Sequence, residues 1–292
     1  MVDQVRTLTA PRTGTAAGVP YLVLPPAAPT EAPAPLVIGL HAFEPPRSEA
    51  ALAGTIPMAS LPAWRVYLGL PLFGARLPPG GVAEVNGLGE RDYLAELFGP
   101  VVEKAAAELG EVERELRSTL PVTDAPTGLV GVGAGATAVL LALAERRVPV
   151  GAAAVINPIV DPALLMAARE RRTGVPYPWT PRARGAHERL HLIARAEELS
   201  PGSTPLLVIN GGRDEVAPPP SGKALHDRLA HQDGEHALRH IVVPDLAHSI
   251  GPEPGLEPGP ITPAGVLTDR ALTEWFHRNL TVSSQVRTDP GG

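Results

Sequence analysis

The 292-residue chain contains no cysteine. Disulfides, thiolate metal ligands and a cysteine nucleophile are therefore excluded, and the redox compartment stays open. Lysine is nearly as scarce: Lys104 and Lys223 are the two among 25 cationic residues, and no long basic run occurs. With a net charge of −6, this argues against nucleic acid as a partner. Where almost every cation is arginine, a single arginine carries little functional weight. No apolar segment approaches the ~18 residues needed to span a bilayer. Met1 to Thr15 is polar and lacks the apolar core of a signal peptide, so the expectation is a cytoplasmic protein without a membrane partner.

What is present fits a soluble α/β protein. Hydrophobic residues make up 44% and charged residues 19%, enough for a substantial core. Short apolar runs ending in polar or glycine-rich turns predict strands at Pro20–Leu24, Leu36–Leu40, Arg65–Leu70, Gly128–Val132, Ala152–Ile156, Leu206–Asn210 and His240–Val243. The proline-rich segment 25–35 reads as a turn or loop, and a second loop extends from Leu70 to about residue 89. Helical spacing runs from Asp92 to Leu120, with Pro100 and Gly110 as expected breaks. Further helices are expected from Ala134 to about Arg146 and over Leu267–Leu280. Strands alternating with helices imply a mostly parallel sheet covered on both faces. Residues 159–200 break that alternation and read as a small helical lid inserted into one domain spanning 1–292. The stretch 251–265 reads as a surface loop.

In a parallel sheet, functional residues gather at the carboxyl ends of the strands. His41, Asn157, Asp214 and His248 stand there, together with a glycine turn centred on Gly133. Three motifs carry a resemblance. They are Gly131-Val132-Gly133-Ala134-Gly135, then Asn210-Gly211-Gly212-Arg213-Asp214, then Pro244-Asp245-Leu246-Ala247-His248. Their order resembles the α/β-hydrolase superfamily, in which a G-x-S-x-G elbow is followed by an acid and then a histidine. The resemblance covers about residues 36–280 and implies a serine esterase or acyl hydrolase acting on a small ester or acyl substrate, with no cofactor. It implies Asp214 as the orienting acid and His248 as the base. The backbone N–H groups of Ala134 and of Phe43 (or Ala42) are implied as the oxyanion hole. The nucleophile position is Gly133, which has no side chain, so the activity implied is impaired or lost. A possible pseudoenzyme is one reading, and an inactive variant of an active parent is another.

Several readings stay open at this level. The glycine turn also matches the dinucleotide fingerprint G-x-G-x-x-G/A, but no acid follows the next strand at the required place. His41 either lines the pocket or holds the oxyanion loop. Trp179 either walls an acyl pocket or anchors the lid. His187 and His191 stand at i and i+4; without a nearby carboxylate pattern they read as a solvated helix face, and no metal is expected. A histidine–acid dyad acting as general base, or a ligand-binding protein without turnover, are the alternatives to a serine-hydrolase lineage.

Overall fold

The computed structural model describes residues 10–28, 32–199, 204–233 and 238–281. The polar N-terminus up to residue 9, part of the proline-rich loop (29–31), the last residue of the inserted segment (Ser200) and His236 lie outside these. Strands Leu36–Leu40, Thr127–Val132 and Leu206–Gly211 are buried along their whole length, as continuous apolar runs require of strands covered on both faces. They belong to an eight-stranded sheet with the order β1 (Arg12–Ala16), β2 (Val19–Leu24), β4 (Trp64–Leu68), β3 (Leu36–Leu40), β5 (Thr127–Val132), β6 (Val150–Ile156), β7 (Leu206–Gly211) and β8 (Leu238–Val243). The pairs β1–β2 and β2–β4 are antiparallel, and every pair from β4 to β8 is parallel.

Among the described residues the α-helices in chain order are α1 (Glu49–Thr55), α2 (Gly81–Asp92), α3 (Gly99–Thr119), α4 (Ala134–Ala144), α5 (Pro162–Thr173), α6 (Pro181–Leu190), α7 (Ala196–Leu199), α8 (Pro219–Asp233) and α9 (Pro263–Phe276). Period-two alternation divides the strand side chains between two cores. Leu129, Val155, Leu206 and Val208 pack with α3, α4 and α8. Val130, Val132, Ile156, Leu207 and Ile209 pack on the other face with α1 and α9. Strand order reverses beside β3, which has β4 on one side and β5 on the other. The crevice outside such a reversal is where open α/β sheets bind ligands.

Two expectations need correcting, and one strand carried no expectation. The segment expected to be loop up to residue 89 holds α2, which begins at Gly81. It contains Gly81, Gly87 and Gly89 and buries only Val85, so neither propensity nor periodicity announces it. Gly110 does not break its helix: α3 runs through it, and a Cβ there would approach the Arg147 carbonyl to 2.7 Å. That glycine serves a close contact instead. Pro100 lies in the first turn of α3, where a missing N–H costs nothing. Strand β1 had no counterpart in the sequence reading. Among the described residues it is an edge strand of mixed burial that pairs only with β2.

Candidate active site

The turn after β5 is built from three glycines with different duties. A Cβ on Gly131 would collide with the carbonyl of Gly135, and one on Gly135 would collide with the carbonyls of Leu40 and His41. These two let the first turn of α4 press against the end of β3. Gly133 adopts φ 52° and ψ −116°, a conformation strained for any residue with a Cβ. The packing of β3, β5 and α4 therefore accounts for this glycine pattern. Ala134 is the first residue of α4, so its N–H has no partner within the helix.

Asp214 and His248 arrive from the ends of β7 and β8. Asp214 Oδ1 accepts from the N–H groups of Val216 and Ala217, both at 2.8 Å, and Oδ2 meets His248 Nδ1 at 2.8 Å. Both residues are buried. Asn157, at the end of β6, fixes the two loops relative to each other. Its Nδ2 donates to the carbonyls of Ala247 (2.8 Å) and His248 (3.3 Å), and its Oδ1 accepts from Gly211 N–H at 2.7 Å. It is fully buried with φ 49°, a left-handed conformation that asparagine tolerates better than most side chains. Asn157→Ala orphans all three backbone groups and keeps an unfavourable φ. The expected loss of stability is about 3–5 kcal/mol in urea unfolding at pH 7. A loss below about 1 kcal/mol would show that other contacts hold these loops.

On its other side, His248 faces Gly133 and Glu44. A Cβ built on Gly133 would lie 3.9 Å from His248 Nε2 and 3.1 Å from the Cβ of Ala42. The Glu44 carboxylate stands 3.5 Å from Nε2. That separation permits charge attraction but not a well-formed hydrogen bond, and among the described residues Nε2 is buried without a hydrogen-bond partner. Burial disfavours a charged imidazole, yet the Asp214 hydrogen bond and the two flanking carboxylates outweigh it and push the His248 pKa up to about 10. Burial likewise opposes ionisation of Glu44, and the imidazolium overcomes it, holding this carboxyl below its ordinary range. The result is a cation between two anions. Sequence reasoning passed over Glu44; the available signal was an acid directly following Phe43 in the loop after β3.

The remaining candidates separate into two groups. His41 is fully buried; its Nε2 accepts from Leu70 N–H at 3.0 Å, which leaves Nδ1 to donate to the Ala42 carbonyl at 2.8 Å. Burial lowers its pKa to about 4, so the ring is neutral and ties the loop after β3 to the chain beyond β4. Ala42 N–H is taken by the Pro46 carbonyl at 3.2 Å, whereas Phe43 N–H has no such partner among the described residues. The Phe43 ring packs on Phe73 at 4.7 Å and on Phe98 at 5.8 Å. Trp179 stacks edge-on with Tyr177 and His187 and packs against the core. Next to Glu44 opens a cleft of about 430 Å³, bounded by Tyr93, Leu165, Arg169, Arg172, Glu215 and Val216; Trp179 is not among the residues lining it. The Arg169 guanidinium lies 3.7 Å above the Tyr93 ring.

The absence of a carboxylate near His187 and His191 is also corrected. Asp161, 26 residues before His187, lies 2.9 Å from its Nε2. The helix spacing was visible in the sequence; the acid, supplied by the cap of another helix, was not.

Comparison with known proteins agrees with this fold. The structure resembles that of TT1662 from Thermus thermophilus with a TM-score of 0.64 and 22% identity, covering 92% of this chain and 98% of that one. It also resembles the acylaminoacyl peptidase of Pyrococcus horikoshii (TM-score 0.63, 16% identity), covering 97% of this chain but 43% of the peptidase. Est1E from Butyrivibrio proteoclasticus matches with a TM-score of 0.59 and 14% identity over 93% of this chain and 99% of its own; it has also been solved with ferulic acid bound. These likenesses make the architecture that of an α/β-hydrolase. No curated protein matches the chain. The family model for the prolyl oligopeptidase family matches residues 106–255, more than half of the 292 residues and inclusive of the glycine turn, Asp214 and His248, and the chain belongs to that family.

Proposed function

We propose that this chain is of the carboxylesterase or acyl-hydrolase type, with Gly133 at the nucleophile position, so that turnover through an acyl-enzyme is impaired or lost. One observation carries the reading. A buried imidazole nitrogen with no hydrogen bond among the described residues faces the point from which a side chain at residue 133 would project. Asp214 orients that imidazole, Ala134 and Phe43 N–H supply the oxyanion hole, and residues 159–200 act as the lid over a single domain. The substrate or ligand is a small molecule with an ester or related acyl group. The test is covalent labelling of Gly133→Ser by a fluorophosphonate, with the parent chain unlabelled. A folded serine variant that resists labelling even when Glu44 is also changed to Gln would refute the reading.

A non-covalent dyad, in which His248 takes a proton directly, has less support. It needs a neutral imidazole at working pH, and Glu44 and Asp214 together keep the ring charged. The cleft beside Glu44 suggests the polarity of the acyl part. Arg169, Arg171 and Arg172 line it against the single acid Glu215, while Glu44 is compensated by His248, leaving the excess positive. A carboxylate on the substrate is therefore favoured. In the Gly133→Ser background, Arg172→Ala lowers kcat/KM for 4-nitrophenyl hemisuccinate about three- to tenfold and leaves 4-nitrophenyl butyrate unchanged. Equal losses on both esters would show that the arginine only shapes the lid.

A further inference from the structure

Away from His248, three side chains converge with no assigned role. Asp161 Oδ1 lies 2.9 Å from His187 Nε2, and Asp161 Oδ2 lies 3.9 Å from His191 Nε2. One ligating atom from each residue falls within 4.8 Å of the other two. We propose that Asp161, His187 and His191 bind a divalent transition-metal ion of the zinc class. This inference does not depend on the reading of the Gly133 site.

The local structure aims the donors. His187 is in the last turn of α6 and His191 follows directly after it, so the i, i+4 spacing puts both rings on one side, 5.0 Å apart and inclined by 38°. Asp161 caps α5, its Oδ1 accepting from Ala163 N–H at 2.8 Å. That bond fixes the carboxylate while leaving Oδ2 open. The ring of Trp179 meets His187 edge-on at 5.5 Å and limits its rotation. Donors about 2.0–2.2 Å from a common ion lie roughly 3–3.5 Å apart, and the separations of 2.9 and 3.9 Å bracket that range. A simple Asp161–His187 pair would not account for His191, whose ring makes no hydrogen bond among the described residues yet faces the open carboxylate oxygen. Two imidazoles and one carboxylate suit zinc, cobalt or nickel and not calcium or magnesium. All three side chains are half-buried, at 22–30% exposure, which leaves the remaining coordination positions to water. The ion would join the start of α5 to the end of α6, and α5 also carries the arginines of the cleft.

The untagged full-length chain, stripped with a chelator, is titrated with zinc by calorimetry and with cobalt by visible absorption. The expected result is one equivalent bound with a micromolar or tighter Kd, a cobalt band marking nitrogen and oxygen coordination, and a Tm higher by about 5 °C at a hundredfold excess over Kd. Asp161→Asn retains a helix cap and weakens binding at least about tenfold; His187→Ala/His191→Ala abolishes it. Circular dichroism confirms that both variants fold. A Kd weaker than about 0.1 mM would overturn the site. So would binding that persists in the double variant, which keeps seven of the nine histidines.

Discussion

Gly133→Ser combined with Glu44→Gln hydrolyses short p-nitrophenyl esters at least about a thousandfold faster than the parent chain. Loss of the serine alone in a well-studied protease lowers turnover about a million-fold, and the background supplied by binding and oxyanion donors is roughly 10³–10⁴ over water. Supplying a hydroxyl at residue 133 should gain a large part of that difference if the surroundings are intact. The Cβ position, 3.9 Å from His248 Nε2, leaves room for a serine Oγ to reach the ring. The second substitution is needed because a serine requires a neutral imidazole as its base. With Glu44 in place, the His248 pKa near 10 leaves few molecules competent at pH 7. The single Gly133→Ser variant should therefore gain activity steadily toward alkaline pH, whereas in the double variant that rise moves down by one unit or more. Serine at φ 52° should also destabilise the fold by about 1–2 kcal/mol, seen as a lower urea midpoint. Identical pH profiles for the single and double variants would mean that Glu44 does not control the imidazole.

How much of this was readable in the residues depends on the range of the interaction that fixes each part. The parallel core strands were readable because burial on both faces leaves unbroken apolar runs such as Leu36–Leu40. Asp214 and His248 could be placed because glycine-rich turns mark strand ends, and strand ends in this architecture share one rim. α2 was missed because its glycines and single buried residue imitate a loop. Glu44 and Asp161 were missed for another reason. Each acts on a partner distant in sequence, 204 and 26 residues away respectively, and nothing in the local pattern distinguishes them from solvated acids. Asn157 was noticed as a polar strand end, but its three bonds to the β7 and β8 loops are visible only once those loops are folded beside it.

The charge at His248 also predicts how the fold responds to alkali. Its folded pKa, about 10, lies above the ordinary value of 6.5. The protonated ring therefore contributes stability that is fully present below pH 6.5 and is lost as pH rises through 10. The shift corresponds to a loss on the order of 3–5 kcal/mol between those limits, and the ring is 9% exposed, so screening by water removes little of it. Glu44 sets the opposite limit: its pKa lies below the ordinary 4.5, so its share is present above that value and is lost as pH falls through the depressed one. The chain offers few competing signals on the alkaline side. There is no cysteine, both lysines are largely exposed, and Tyr67, Tyr93 and Tyr177, whose pKa values burial raises, begin to cost stability only as pH nears the ordinary tyrosine value of about 10. Urea unfolding between pH 7 and 9, above the range of His41 and His240 and below that of the tyrosines, should therefore give a descending limb assignable to His248. Glu44→Gln should shorten that limb by removing one of the two anions, and an NMR titration of the His248 ring should move with it. Stability that stays level from pH 6.5 to 9.5 would mean that the imidazole is neutral in the folded protein, and with it the reason for requiring Glu44→Gln alongside the serine would disappear.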